Sequence, residues 1–202
     1  MNQTRATKKS SSNFSIASKL SAAIRKSMAT ICKVTDGSRH ARLSGAFSAW
    51  LKSGDINTKS SAPIGLLKTF KITPGTSNPG KWNEYIQVYR QQNDLEIKIS
   101  ELIPTSMMRL PKETAIIRLN IVSVNVSIGN NQASAVQNRF DMAFDATFPA
   151  TTLIHNFTVS PGSIILTGIA VECLDDQLNH VKWRIGYNAP AWFQFAEWIA
   201  YL

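Results

Sequence analysis

Alternation of apolar and polar residues marks most of the chain after residue 63. In four segments an apolar residue recurs at every second position, which is typical of a half-buried strand: 95–100, 122–128, 140–145 and 181–187. Four further strand candidates are mainly apolar segments without strict alternation: 66–72, 82–89, 164–174 and part of 191–202. The last of these also fits a helix, but we predict a strand there. The pattern therefore predicts about eight strands.

Pro, Gly and Asp residues separate these segments at short intervals and leave no room for the helices that a parallel α/β sheet needs. Regular spacing of short strands and turns is typical of an all-β sandwich or barrel. We therefore predict a mainly β protein with an antiparallel β-sandwich that resembles a jelly roll.

The N-terminal region has the spacing of a helix instead. Apolar residues three or four positions apart form one helical stripe: Phe14, Ala17, Leu20, Ile24, Met28 and Ile31. Ser12 or Asn13 is the expected N-cap, because both residue types accept hydrogen bonds from the first free amides of a helix. Residues 1–12 are polar and without period, so a flexible tail is predicted there.

A second short helix is predicted after the break at Gly37. Leu43, Phe47, Trp50 and Leu51 share one face, and Gly54 ends the segment. The predicted units are therefore a basic N-terminal arm with two short helices (1–53), a linker (54–63) and a β-sandwich domain (64–202). Two helices joined by a turn also fit a helix-turn-helix, and their apolar faces could instead dock on the β domain, a membrane surface or a partner helix.

Net charge separates the arm from the domain behind it. The 202-residue chain carries a formal charge of +9, with 22 Lys and Arg against 13 Asp and Glu. Residues 1–53 hold ten of those cations and one anion, whereas residues 54–202 hold twelve of each. The whole excess therefore lies in the arm.

A basic segment beside a neutral domain is the pattern expected of an arm that binds a polyanion, because Lys and Arg near phosphates release condensed counterions. We predict nucleic-acid binding, to DNA or RNA, by the cations of the arm: Arg5, Lys8, Lys9, Lys19, Arg25, Lys26, Lys33, Arg39 and Arg42. Lys19, Lys26 and Lys33 are seven residues apart and share one stripe. A solvated tail and an organellar transit peptide are the alternatives for the same pattern.

Catalytic and metal-binding motifs are lacking in the sequence. Cys32 and Cys173 form no C-x-x-C pair, and the three histidines are isolated from one another. Asp141 and Asp145 are four residues apart on one predicted strand, about 13 Å, which exceeds the separation of a glycosidase pair. We therefore expect no enzyme activity, no cofactor, no metal site and free, buried thiols.

This layout resembles the general plan of small single-jelly-roll capsid proteins, whose basic arms face the packaged genome while the β domain forms the shell. The resemblance is one of plan, without a shared motif, and it implies a structural protein that forms homo-oligomers in a virion or in the cytoplasm. The alternative is an intracellular β-sandwich that binds a protein or glycan and is docked to a partner or membrane surface by its amphipathic helices. The sequence shows no signal peptide and no apolar segment long enough to span a membrane.

Overall fold

The computed structural model describes residues 4–29, 38–53, 67, 70–73, 82–107, 110–128, 133–181 and 191–199. Four helical segments lie in these ranges: α1 (Arg5–Met28), α2 (Arg39–Lys52), and the single turns α3 (Trp82–Tyr85) and α4 (Pro104–Met107). Seven strands follow or separate them: β1 (Ile86–Gln91), β2 (Asp94–Ile99), β3 (Ile116–Ser127), β4 (Ala133–Ala143), β5 (Thr151–Asn156), β6 (Ser163–Leu174) and β7 (Ala191–Ile199).

The strands form two antiparallel sheets. One has four strands in the order β4-β3-β6-β7, and the other has three in the order β1-β2-β5. Strands β3 and β6 are twelve residues long and are paired along their whole length. They form the centre of the larger sheet and of the molecule.

The four-stranded sheet is the middle of three layers. One of its faces packs on α1 and α2 through apolar side chains such as Val122, Val124 and Leu166. The opposite face packs on the three-stranded sheet through side chains such as Ile117 and Leu119. Because both faces are covered, β6 is buried at all twelve positions, as strands covered on both faces generally are.

Gly168 marks the closest approach of a helix to this sheet. A Cβ atom at this position would lie 2.7 Å from the sulfur of Met28, the last residue of α1. The pairing of β6 with β7 also shifts register between Thr167 and Gly168. The glycine thus leaves room for the end of α1 to rest directly on the strand.

The mainly β architecture with N-terminal helices is confirmed, and the C-terminal segment is a strand as predicted. Four details of the strand prediction are wrong. Residues 82–85 form the helical turn α3 instead of the start of a strand, the described part of 66–72 has an isolated β-bridge between Lys71 and Trp192 in place of a strand, and β5 was not predicted. Asp145 lies in the turn after β4, not on the strand with Asp141. Most of the predicted strand at 181–187, and the linker 54–63, lie outside the described residues.

The start of the first helix is also corrected. Helix α1 begins at Arg5, so the flexible tail predicted for residues 1–12 is wrong from residue 5 onward. Thr4 is the N-cap, and its hydroxyl accepts a hydrogen bond from the amide of Thr7 at 3.2 Å. Ser12 and Asn13 are therefore interior helix residues. Helix α2 follows the prediction, with Leu43, Phe47, Trp50 and Leu51 among its buried residues.

Candidate nucleic-acid interface

The second half of α1, residues 16–28, is docked on the protein. Four residues of the predicted apolar stripe are buried there: Ala17, Leu20, Ile24 and Met28. The Ser21 hydroxyl donates a hydrogen bond to the carbonyl oxygen of His40 at 3.1 Å, which joins α1 to α2. These contacts make the helices a layer of the folded body over the described residues, as the alternative of docking on the β domain expects.

The first half of α1 lies outside this packing. Between residues 7 and 15 every side chain is exposed except that of Asn13, which is half-buried. Phe14 belongs to the predicted apolar stripe, yet 64% of its surface is accessible. An exposed aromatic ring thus lies between the basic start of the helix and its docked half. The polar residues 7–13 before Phe14 were the signal in the sequence that this half of the helix does not pack in the core.

Three lysines form a line along α1 on the side away from the buried stripe. Lys8, Lys19 and Lys26 are eleven and seven residues apart, which corresponds to nearly whole numbers of turns and to about 16 Å and 10 Å along the axis. All three are exposed, as are Lys9 and Arg25, which follow and precede lysines of the line in the chain and lie about 100° around the helix from it. Arg5 is the first residue of the same helix.

No acidic residue offsets this charge on the helix. The sequence of α1 contains no Asp or Glu, and its first turn holds none. Cations near a helix N-terminus are unfavourable, because the free amides there already carry partial positive charge; each effect is about 0.3–1 kcal/mol at an exposed site. An anionic partner near Arg5, Lys8 and Lys9 would therefore offset the unfavourable interaction between these cations and the helix N-terminus.

Arg39 and Arg42, also predicted to bind nucleic acid, are engaged within the protein. Arg39 is 5% exposed. The guanidinium of Arg42 donates to the carbonyl oxygens of Lys71 and Ile72 at 2.9 Å and 3.1 Å and lies 5.2 Å from the ring centre of Phe70. These contacts hold residues 70–73 against α2. Lys33, the last predicted site residue, lies outside the described residues.

A groove of about 460 Å³ separates part of α1 from the end of β3. Its lining is mostly apolar, with Ile16, Leu20 and Ala23 from the helix and Val126 and Ile128 from the β3 side. Lys19 also lines it. The groove leaves this lysine accessible from two sides of the helix.

Several other titratable side chains are buried or hydrogen-bonded within the protein. Burial raises the pKa of the Cys173 thiol to about 12, so this free cysteine stays protonated near neutral pH. Arg118 donates two hydrogen bonds of 2.7 Å to Asp141 and lowers the pKa of that carboxyl group. His155 is buried between the sheets, where its Nε2 is hydrogen-bonded to Asn138 and burial lowers its pKa. Trp82 is fully buried.

None of the helices in the described ranges is both long and apolar enough to cross a lipid bilayer. Comparisons with protein-family models, with curated proteins and with solved structures found no match to this chain. The functional argument therefore rests on the exposed cations of α1 and on the layers beneath them.

Proposed function

We propose that this chain is a non-enzymatic assembly protein that binds nucleic acid through the exposed face of α1. One observation carries the proposal: Lys8, Lys19 and Lys26 form a line on a helix without acidic residues, opposite the stripe that fixes the helix to the body. Such a line can follow a phosphate backbone, because each lysine that neutralises a phosphate releases a counterion.

Phe14 fits the same ligand. Proteins that bind single-stranded nucleic acid combine a basic surface with aromatic rings on which bases stack. Phe14 is exposed about 120° around α1 from the lysine line, on the same flank as Arg25, eleven residues later, so a strand that contacts both must cross the exposed half of the helix. We therefore expect a preference for single-stranded over double-stranded nucleic acid.

The β layers would supply the assembly unit. In our proposal the two antiparallel sheets form a sandwich of the jelly-roll kind, which packs beside copies of itself as in capsid-like shells. The charge balance of residues 54–202 supports this, because a neutral body avoids long-range repulsion between copies.

Docking to a membrane through the apolar helix faces is less well supported. The apolar faces of α1 from residue 17 to 28 and of α2 are buried against the four-stranded sheet. A membrane or partner helix would have to compete with that core, whereas the lysine line is exposed. The geometry therefore favours a polyanion as the partner of α1.

The test compares two variants that each lose two positive charges. Lys19→Gln/Lys26→Gln removes cations from the docked half of α1, and Lys98→Gln/Lys112→Gln removes two exposed cations from the β layers. Binding of labelled single-stranded RNA and DNA is measured by fluorescence anisotropy over a salt series. We expect the α1 variant to lower the slope of log affinity against log salt by about 1.4, since each phosphate contact on a single strand contributes about 0.7.

The Lys98/Lys112 variant should keep the slope of the unmodified chain. Equal slopes for all three proteins, or binding that does not depend on salt, would exclude α1 as the binding surface. Removal of residues 1–53 is not a suitable control, because it would uncover the apolar face of the four-stranded sheet.

A further inference from the structure

The two edges of the four-stranded sheet differ in how they are covered. Residues 70–73 cover the outer edge of β7: the amide of Ile72 donates to the Ala191 carbonyl at 2.8 Å, and the amide of Phe193 donates to the Phe70 carbonyl at 3.2 Å. At the other edge, β4 pairs with β3 on one side, and no strand of the described ranges pairs with its other side.

Strand β4 lacks several of the features that normally protect an edge, and its two charged residues, Arg139 and Asp141, have opposite signs. It is eleven residues long and pairs with β3 over all eleven without a bulge. Its sequence, ASAVQNRFDMA, contains no Pro and no Lys. Long edge strands without a bulge, a Pro or a Lys are templates for pairing with another chain.

A ladder of alternating charge runs across the sheet and ends at this edge. Arg118 on β3 lies between Glu172 on β6 and Asp141 on β4, in register with both. Each neighbour has the opposite charge, and Arg118 binds Asp141 at 2.7 Å. A further strand beside β4 would continue the alternation if it placed a cation opposite Asp141.

The strand itself carries such a cation on the same face. Arg139 lies two residues before Asp141, and both side chains are exposed. We infer that β4 pairs with β4 of a second copy in antiparallel fashion, about a two-fold axis at Phe140. Arg139 of each copy then lies opposite Asp141 of the other, and the two four-stranded sheets become one sheet of eight strands.

The charges select this register over a longer one. A two-fold axis at Asn138 would pair all eleven residues, but it would place Arg139 opposite Gln137 and Asp141 opposite Ala135. The axis at Phe140 pairs residues 137–143 and makes two ion pairs, which fix partner and register. As the contact between copies, this pairing rests on the proposed assembly function.

Charge reversal tests the contact. Arg139→Asp places an Asp opposite Asp141 of the second copy, and Asp141→Arg places an Arg opposite Arg139 of the second copy. We expect the unmodified chain to dimerise or to form assemblies of dimers in light scattering, and each variant alone to be monomeric. An equimolar mixture of the two should recover the dimer, because opposite charges face each other again in the mixed pair.

Lys98→Asp is the matched control, since it makes the same charge change at an exposed position of β2, the middle strand of the other sheet. It should keep the mass of the unmodified chain. Asp141→Arg also removes the partner of Arg118, but recovery in the mixture requires that this variant is folded. A monomeric unmodified chain, single variants with unchanged mass, or a mixture that remains monomeric would each overturn the pairing.

Nucleic-acid binding by the same proteins separates this inference from the proposed function. Monomeric Arg139→Asp with the salt slope of the unmodified chain supports the edge contact, because α1 then acts independently of it. A salt slope lowered by about 1.4 in Lys19→Gln/Lys26→Gln, with the dimer intact, supports both. If the charge-reversal experiment succeeds while α1 contributes nothing to binding, the pairing stands and the nucleic-acid proposal fails.

Discussion

The two halves of α1 have the same secondary structure but opposite surroundings. Both contain residues of one apolar stripe, with Phe14 in the exposed half and Ile24 in the docked half. Phe14 is 64% exposed, whereas Ile24 is completely buried. The difference arises because the four-stranded sheet offers an apolar face only to the second half. Residues of one helical stripe can therefore serve a core in one half of a helix and a binding surface in the other.

The halves also differ in what stabilises them. Burial of an aliphatic side chain contributes about 1.5–3 kcal/mol, and the docked half buries Leu20, Ile24 and Met28. The exposed half has no such contribution and is too short to be stable alone, since isolated helices need about 12–15 residues. It depends on the docked half, on its N-cap and, in our proposal, on an anionic partner.

The largest expected contrast is between truncations in the two halves. Ile24→Ala should lower the free energy of unfolding by about 2–5 kcal/mol, because it leaves a cavity in the core. Phe14→Ala should change it by no more than about 0.5 kcal/mol, as surface substitutions usually do. Urea unfolding of both variants gives the comparison. Similar losses for the two would mean that Phe14 is packed in solution.

Loss of the N-cap should affect the exposed half alone. Thr4→Ala removes the hydroxyl that accepts from Thr7, and cap loss typically costs about 1 kcal/mol of helix stability. We expect lower helicity by circular dichroism at an unchanged unfolding midpoint in urea. Addition of single-stranded RNA should restore the signal; a midpoint that falls with the helicity would instead make the two halves one cooperative unit.

Mild acid should weaken the β layers. Burial lowers the pKa of His155 in the folded protein below its ordinary value of about 6.5. The unfolded chain therefore binds the proton more tightly than the folded protein does, and protonation of His155 favours unfolding. The contribution of His155 is complete above its ordinary pKa, and stability falls as the pH drops toward the lowered pKa.

Unfolding measured between pH 7 and 5 tests this, with His155→Gln as the control that keeps a hydrogen-bonding group without titrating there. The control should show a flatter dependence than the unmodified chain, and equal slopes would contradict the role of His155. Asp141, whose pKa is also lowered, loses its contribution only in more acidic solution.

The smallest expected effect has opposite signs for stability and binding. Lys8→Glu puts an anion in the first turns of α1 and should raise helicity, with a gain of about 0.3–1 kcal/mol. The same change should weaken nucleic-acid binding, because it replaces a phosphate contact by a repulsion. Circular dichroism and anisotropy on one sample measure both. A gain in both helicity and nucleic-acid affinity would show that Lys8 does not contribute to binding with Lys19 and Lys26.

The local pattern of the sequence predicted much of this protein. The period of two predicted β2, the second half of β3 and the end of β4, and mainly apolar segments without strict alternation predicted β6 and β7. The stripe from Ala17 to Met28 predicted the inner face of α1, and the charge count located the cations. These features can be predicted from the sequence because backbone geometry places every second residue of a strand, and every third or fourth residue of a helix, on one face. The segment that became β5 alternates too weakly to be recognised.

The tertiary structure alone decided which of these faces are covered. It buries Ile24 and exposes Phe14, uses Arg42 to hold residues 70–73, and covers the β7 edge while β4 stays open within the described residues. The side chain of each residue is the same in either setting. What differs is whether another helix or strand packs against that side chain. Such packing depends on segments far away in the chain, because a side chain is buried only where a second surface covers it.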